Sequence, residues 1–271
     1  MPLLPLPRWL PVFVKRLVLN TIDAMLDRML APEVNKIREV AGLAGIRHIY
    51  STWAPSPQKV IALFPDWFAA PPQDWPPQTL LTGFISFDAG EEKPLSNKAL
   101  NFLESDDPPI VITPGTAMRH GEQFFQASIE ACTTLKKRGL LLTPHRTQLP
   151  AHLPEGIVHV DYLPFSAVLP RAAALVHHGG IGTAVQALAA GIPQLVRPMN
   201  YDQPDNAARL ERLGVGSSIP PAKYRVPEVA EKLDYLLSSP TVKARCLGWA
   251  KRINFQSALE DTCVAIERVI T

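Results

Sequence analysis

The 271-residue sequence has a formal net charge of +2, and 46% of its residues are hydrophobic. A chain of this length can bury a sizeable core, and the near-neutral charge, without a block of Lys or Arg, argues against nucleic-acid binding. Its three cysteines, Cys132, Cys246 and Cys263, are odd in number and lack metal-ligand spacing, so they read as reduced structural thiols of a cytoplasmic protein.

Residues 1–20 are apolar but do not read as a signal peptide, because Lys15 and Arg16 fall inside the apolar run rather than before it. No uncharged run is long enough to cross a bilayer. The segment reads as a helix or strand of a domain. A peripheral membrane contact through Trp9 and Phe13 is the alternative, weakened by Pro7 and Pro11. Over residues 20–44 the spacing of Ile22, Met25, Leu26, Met29, Leu30, Val34, Ile37 and Val40 predicts two helices, or one kinked at Pro32. Short strands are expected at 60–64 and 80–84, separated by the proline-rich stretch 65–79, whose pairs mark rigid loops. Residues 86–108 are polar apart from a short helix near 98–103, and the domain boundary is placed there.

Beyond residue 108 short apolar runs alternate with amphipathic stretches. Strands are expected at 110–113, 140–142, 157–160, 173–176, 194–196 and 215–219, with helices at 123–137, 184–190, 205–213, 227–238, 241–250 and 257–270. This order predicts an α/β domain with a parallel sheet of about six strands, covered by helices on both faces. Ligands of such sheets bind outside the carboxyl ends of the strands.

The candidate site residues follow strands. His177-His178-Gly179-Gly180-Ile181-Gly182-Thr183 joins a strand to a small-residue helix, and such a turn forms an anion site from free N–H groups and the helix dipole. His178 can donate to a diphosphate, whereas His177 reads as a structural histidine bonded to a neighbouring carbonyl. Thr183 suits either a helix cap or a phosphate contact. Thr116, after Gly115, can donate to phosphate, although alone it would be an ordinary turn and cap. Asp202 and Gln203 precede a helix at Pro204. Alone Asp202 would read as an N-cap, but beside a phosphate loop the pair offers hydrogen bonds to sugar hydroxyls. A dinucleotide fingerprint is the rival, but Gly180-x-Gly182-x-x-Val185 lacks its third glycine.

The stretch 161–206 closely resembles the donor-binding signature of family 1 glycosyltransferases with the GT-B fold, in the bacterial branch that glycosylates natural products, sterols and lipids. The likeness extends over roughly 108–270 and more loosely back to about residue 20. It implies a GT-B C-terminal Rossmann-like domain that binds a nucleoside diphosphate sugar over 109–271, a linker at 86–108, and a remnant of the N-terminal acceptor domain at 1–85. It also implies that Tyr162 stacks on the base, the Leu163 backbone reads its edge and Gln186 meets the ribose, leaving UDP or dTDP open. His178, Gly180, Gly182, Thr183 and Thr116 would hold the diphosphate, and Asp202 and Gln203 the sugar. The expected reaction is inverting hexosyl transfer to a hydroxyl of a small lipophilic or natural-product acceptor, without a metal. The family's general base is a histidine near the start of the acceptor domain. No matching segment occurs here, and nothing in the sequence assigns His48 or His120 to that role. The expectations are therefore a truncated transferase, a donor subunit needing an acceptor-domain partner, or a non-catalytic nucleotide-sugar module. Self-association through apolar surface on 1–60 is also expected.

Overall fold

The structure, a computed structural model, describes residues 9–73, 75–87, 97–104, 107–115, 118 and 120–270. They form two compact units, one comprising 9–83 with 257–270 and the other 84–256. Among the described residues no helix is long and apolar enough to cross a membrane.

In the first unit, α1 (Val12–Val40) starts after Pro11 and continues through Pro32 as one helix. Proline removes a donor and crowds the preceding turn. Pro32 and Arg28 are both exposed, so the carbonyl left without its donor can bond water instead. Two carboxylates of α1 bind the returning chain. Asp27 accepts from the N–H groups of His48 (2.7 Å) and Ile49 (2.9 Å). Asp23 accepts from the Ser51 hydroxyl (2.6 Å) and lies 3.0 Å from His48 Nδ1. Together they anchor a π-helical turn, Ile49–Trp53. Strands β1 (Val60–Ala62) and β2 (Thr79–Leu81) then pair in parallel.

The second unit runs α2 (Asn97–Leu103), β3 (Ile110–Ile112), α3 (Glu122–Thr134), β4 (Gly139–Leu142), β5 (Ile157–Val160), α4 (Phe165–Val168), β6 (Ala174–His177), α5 (Ile181–Ala190), β7 (Gln194–Val196), α6 (Gln203–Leu213), β8 (Gly216–Ser218), α7 (Val226–Ser238) and α8 (Pro240–Ala250). The final helix, α9 (Phe255–Ile270), begins here, but its residues 257–270 cluster with the first unit. Within that unit the Thr262 hydroxyl donates to Thr82 Oγ1 at 2.8 Å. A β-carbon at Gly83 would stand 3.1 Å from that of Ala258. The family resemblance implies that the C-terminal helix, 259–269, crosses back to the N-terminal segment, and residues 257–270 do cluster with the first unit.

The sheet has six parallel strands in the order β5-β4-β3-β6-β7-β8, as the alternating pattern predicts. Ile110, Val111, Ile112, Leu140, Leu141, Leu175 and Leu195 are wholly buried, because each strand is covered on both faces. On one face Ala99 and Leu103 of α2 join Val111, Leu140, Leu175, Leu169 and Ala187 in a single cluster. Deleting one such leucine side chain costs about 2–5 kcal/mol. On the other, Phe124 of α3 stacks on Tyr224, whose hydroxyl pairs with Ser128 Oγ at 2.8 Å. Burial pushes the Cys132 and Cys246 thiols up to about 12, so both stay protonated and inert.

Because the chain builds outward from β3 to β5 and then returns to β6, the crossover direction reverses between β3 and β6. The crevice above that switch point is where doubly wound sheets bind ligands.

Candidate functional site

Two loops meet at the switch point. After β3 comes Thr113-Pro114-Gly115, and after β6 comes His178-Gly179-Gly180. The His178 imidazole lies between two glycines. A β-carbon on Gly115 would stand 2.6 Å from its Cε1, and one on Gly180 would stand 2.5 Å from its Nε2. The φ of +89° at Gly115 also suits glycine alone. His178 Nδ1 is buried and has no hydrogen-bond partner among the described residues. Burial lowers the His178 pKa, while the Asp202 carboxylate opposes that shift.

His177 has a different environment. It is wholly buried, its Nδ1 accepts from the Gly179 N–H at 3.1 Å, and its Nε2 therefore carries the proton facing Gln194 Oε1 at 3.0 Å. Burial, with the neighbouring His178 adding to it and the Gln194 bond opposing, lowers its pKa to about 3. It is a neutral strut under the turn.

Helix α5 begins immediately after this turn. Gly180 at its N-cap offers no side chain, so the first-turn N–H groups go uncapped. A β-carbon at Gly182 would meet nothing within 4 Å, leaving main chain open to an incoming group. Ile181, Gly182 and Thr183 all line a cleft of about 760 Å³.

That cleft crosses the strand ends. Its lining includes Tyr162 and Leu163 after β5, Pro144 after β4, Gly115 after β3, His178 after β6, and Met199, Asn200, Tyr201 and Gln203 after β7. With neighbouring strands about 4.8 Å apart, four intervals place the β5 and β7 loops roughly 19 Å from each other. The β7 loop is tightly held, since Gln203 Oε1 accepts from the N–H groups of Met199 (2.8 Å) and Asn200 (3.2 Å). At its apex Tyr201 has φ 58°, in the left-handed region. For a bulky residue this costs about 1–3 kcal/mol.

Of the ten residues singled out in the sequence, Tyr162, Leu163, His178, Gly180, Gly182, Thr183, Gln186 and Gln203 line this cleft together. Thr116 lies outside the described residues. Asp202 is exposed and does not line the cleft; its Oδ2 accepts from Asn206 Nδ2 at 2.8 Å. Sequence reasoning missed Asn206. The same buried amide donates to the Gly179 carbonyl at 3.0 Å, tying the glycine turn to the β7 loop. It missed Tyr201 as well, though an aromatic beside Asp202 was a visible signal. No cluster of three or more His, Cys, Asp or Glu suited to a metal occurs among the described residues.

The fold defines a class: a Rossmann-like C-terminal domain of GT-B type, with a glycine turn and a helix start lacking a side-chain cap at its switch point. Residues 140–254 match the family described as erythromycin biosynthesis protein CIII-like, C-terminal domain. An O-mycaminosyltylonolide 6-deoxyallosyltransferase of Streptomyces fradiae is 30% identical over 199 residues, covering 72% of this chain and 46% of that protein. A sterol 3-beta-glucosyltransferase of Arabidopsis thaliana is 30% identical over 169 residues, covering 61% of this chain and 26% of the relative. The crystal structure of the glycotransferase of kitacinnamycin has a similar fold, with a TM-score of 0.76 at 20% identity over 94% of this chain and 67% of the other. The matched domain and these relatives support a family 1 glycosyltransferase of the bacterial natural-product type. The chain spans less than half the length of the two curated relatives named here.

Proposed function

We propose that residues 84–256 bind the donor of an inverting glycosyltransferase. The reaction moves a hexose from a UDP- or dTDP-sugar to a hydroxyl of a small lipophilic or natural-product acceptor. The observation that carries this reading is the His178 imidazole, fixed between Gly115 and Gly180 with its Nδ1 unpaired, beside an uncapped helix start.

In this reading the diphosphate lies over α5. His178 and the Gly182 and Thr183 N–H groups donate to it, and the helix dipole favours its charge. Tyr162 and Leu163 take the base, Gln186 the ribose, and Gln203 the sugar hydroxyls. Gln203 does so through its amide N–H groups, because its oxygen is already engaged. Asp202 acts at the rim, next to Asn206. In the transfer, an acceptor oxygen forms a bond to the anomeric carbon as the bond from that carbon to the diphosphate breaks. The acceptor proton passes to a general base, and the charge left on the nucleoside diphosphate meets fixed donors rather than a metal ion. With reduced thiols at Cys132 and Cys246, we place the protein in the cytoplasm.

Calorimetric titration with UDP, dTDP, UDP-glucose and dTDP-glucose tests the donor site. His178→Ala should weaken diphosphate binding at least about tenfold, the worth of one charge-assisted hydrogen bond. His177→Ala, refolded and compared at equal folded fraction, should do less. Equal losses in the two variants count against the assignment. Binding without transfer to any offered acceptor would identify a donor-binding module or subunit.

A further inference from the structure

The geometry points to Tyr201 as the residue that recognises the donor's sugar ring, by stacking against its C–H face. This inference rests on the donor-site reading above. The strand order sets the direction of the ligand. Tyr162 follows β5, Gly115 follows β3, His178 follows β6 and Tyr201 follows β7, so the loops succeed one another across the sheet in that spatial order. With the base at Tyr162 and the diphosphate over the start of α5 beside His178, the next loop outward meets the sugar.

Tyr201 is the aromatic residue on that loop, 71% exposed, and it lines the cleft. Its backbone is held in the left-handed region. The neighbouring Met199 and Asn200 N–H groups are tied to Gln203, which fixes the turn that forces this conformation. An asparagine or glycine would suit the backbone better. A strained aromatic at the lip of a binding cleft marks a side chain held for contact rather than for the turn. Ring faces suit the apolar side of a pyranose, and the tyrosine hydroxyl leaves one polar end for solvent or a ring substituent.

The test compares the unmodified protein with Tyr201→Gly and Tyr201→Phe. Each is titrated with UDP, dTDP, UDP-glucose and dTDP-glucose, and its melting temperature is recorded. Tyr201→Gly should melt about 2–4 °C higher, because the strain is relieved. Its affinity for UDP and dTDP should be unchanged, and the ratio of nucleotide-sugar to nucleotide affinity should fall about tenfold. Tyr201→Phe should keep that ratio. A ratio unchanged in Tyr201→Gly for every donor, with nucleotide binding intact, overturns the role of Tyr201 and leaves the donor site standing. No nucleotide binding by any of the three proteins overturns the donor-site reading and this inference with it.

Discussion

A β-carbon on Gly115 would stand 2.6 Å from Cε1 of His178, so the glycine after β3 and the histidine after β6 occupy mutually dependent positions. Gly115→Ala should displace the imidazole and strain a backbone at φ +89°, costing about 1–3 kcal/mol of stability. Because both changes remove the same placed ring, Gly115→Ala and His178→Ala should be non-additive in UDP affinity. A double-mutant cycle by calorimetry measures this, and additive losses would show that the two positions act separately.

Gly182 should behave in the opposite way. Its side-chain position is open and lies in the first turn of α5, where alanine favours the helix more than glycine does. Gly182→Ala should leave stability unchanged or raise it by about 0.5 kcal/mol in urea unfolding. If phosphate approaches the main chain there, the same methyl group lowers UDP affinity. Undiminished affinity would move the phosphate away from this turn.

His177 makes stability depend on pH. Its folded pKa of about 3 lies below the ordinary 6.5, so between these values the unfolded chain binds a proton that the folded chain does not. Its full contribution is present above pH 6.5 and declines on acidification, by up to about 1.4 kcal/mol per pH unit within that window. His177→Gln should flatten the difference between urea midpoints at pH 7.5 and pH 5. An identical slope in the variant would assign the effect to other groups.

How far the sequence reveals this molecule depends on the range of each interaction. Parallel strands covered on both faces must be apolar along their length, so the runs at 110–112, 140–142 and 174–176 identify the sheet without coordinates. The glycine turn and its helix are local too. The wedge of His178 between Gly115 and Gly180 is not local, since it exists only because β3 lies beside β6. Asn206 belongs to the same group: its amide binds Gly179 and Asp202 together, and no spacing rule announces that pair. Gln203 lines the cleft as its type suggests, yet its local bonding could not be read from type. Its residue type suits sugar hydroxyls, but its oxygen is occupied by two backbone N–H groups of its own loop. Pro32 signals a helix break from composition, whereas exposure of that turn lets α1 continue.

Helix α1 carries exposed Phe13, Leu17, Met25, Met29, Ile37 and Val40. We propose that this apolar surface lets the chain self-associate. Light scattering should show mass rising with protein concentration, and Ile37→Lys with Val40→Glu should reduce it. A monomer at every concentration would contradict this expectation.

The bare start of α5 also makes ligand and scaffold interdependent. With Gly180 at the N-cap, the diphosphate we propose there would supply the cap that no side chain provides. A ligand at one hundred times its dissociation constant adds about 2.7 kcal/mol to stability. Resistance to unfolding therefore reports donor identity directly, and a panel of nucleotide sugars can be ranked before any acceptor is known.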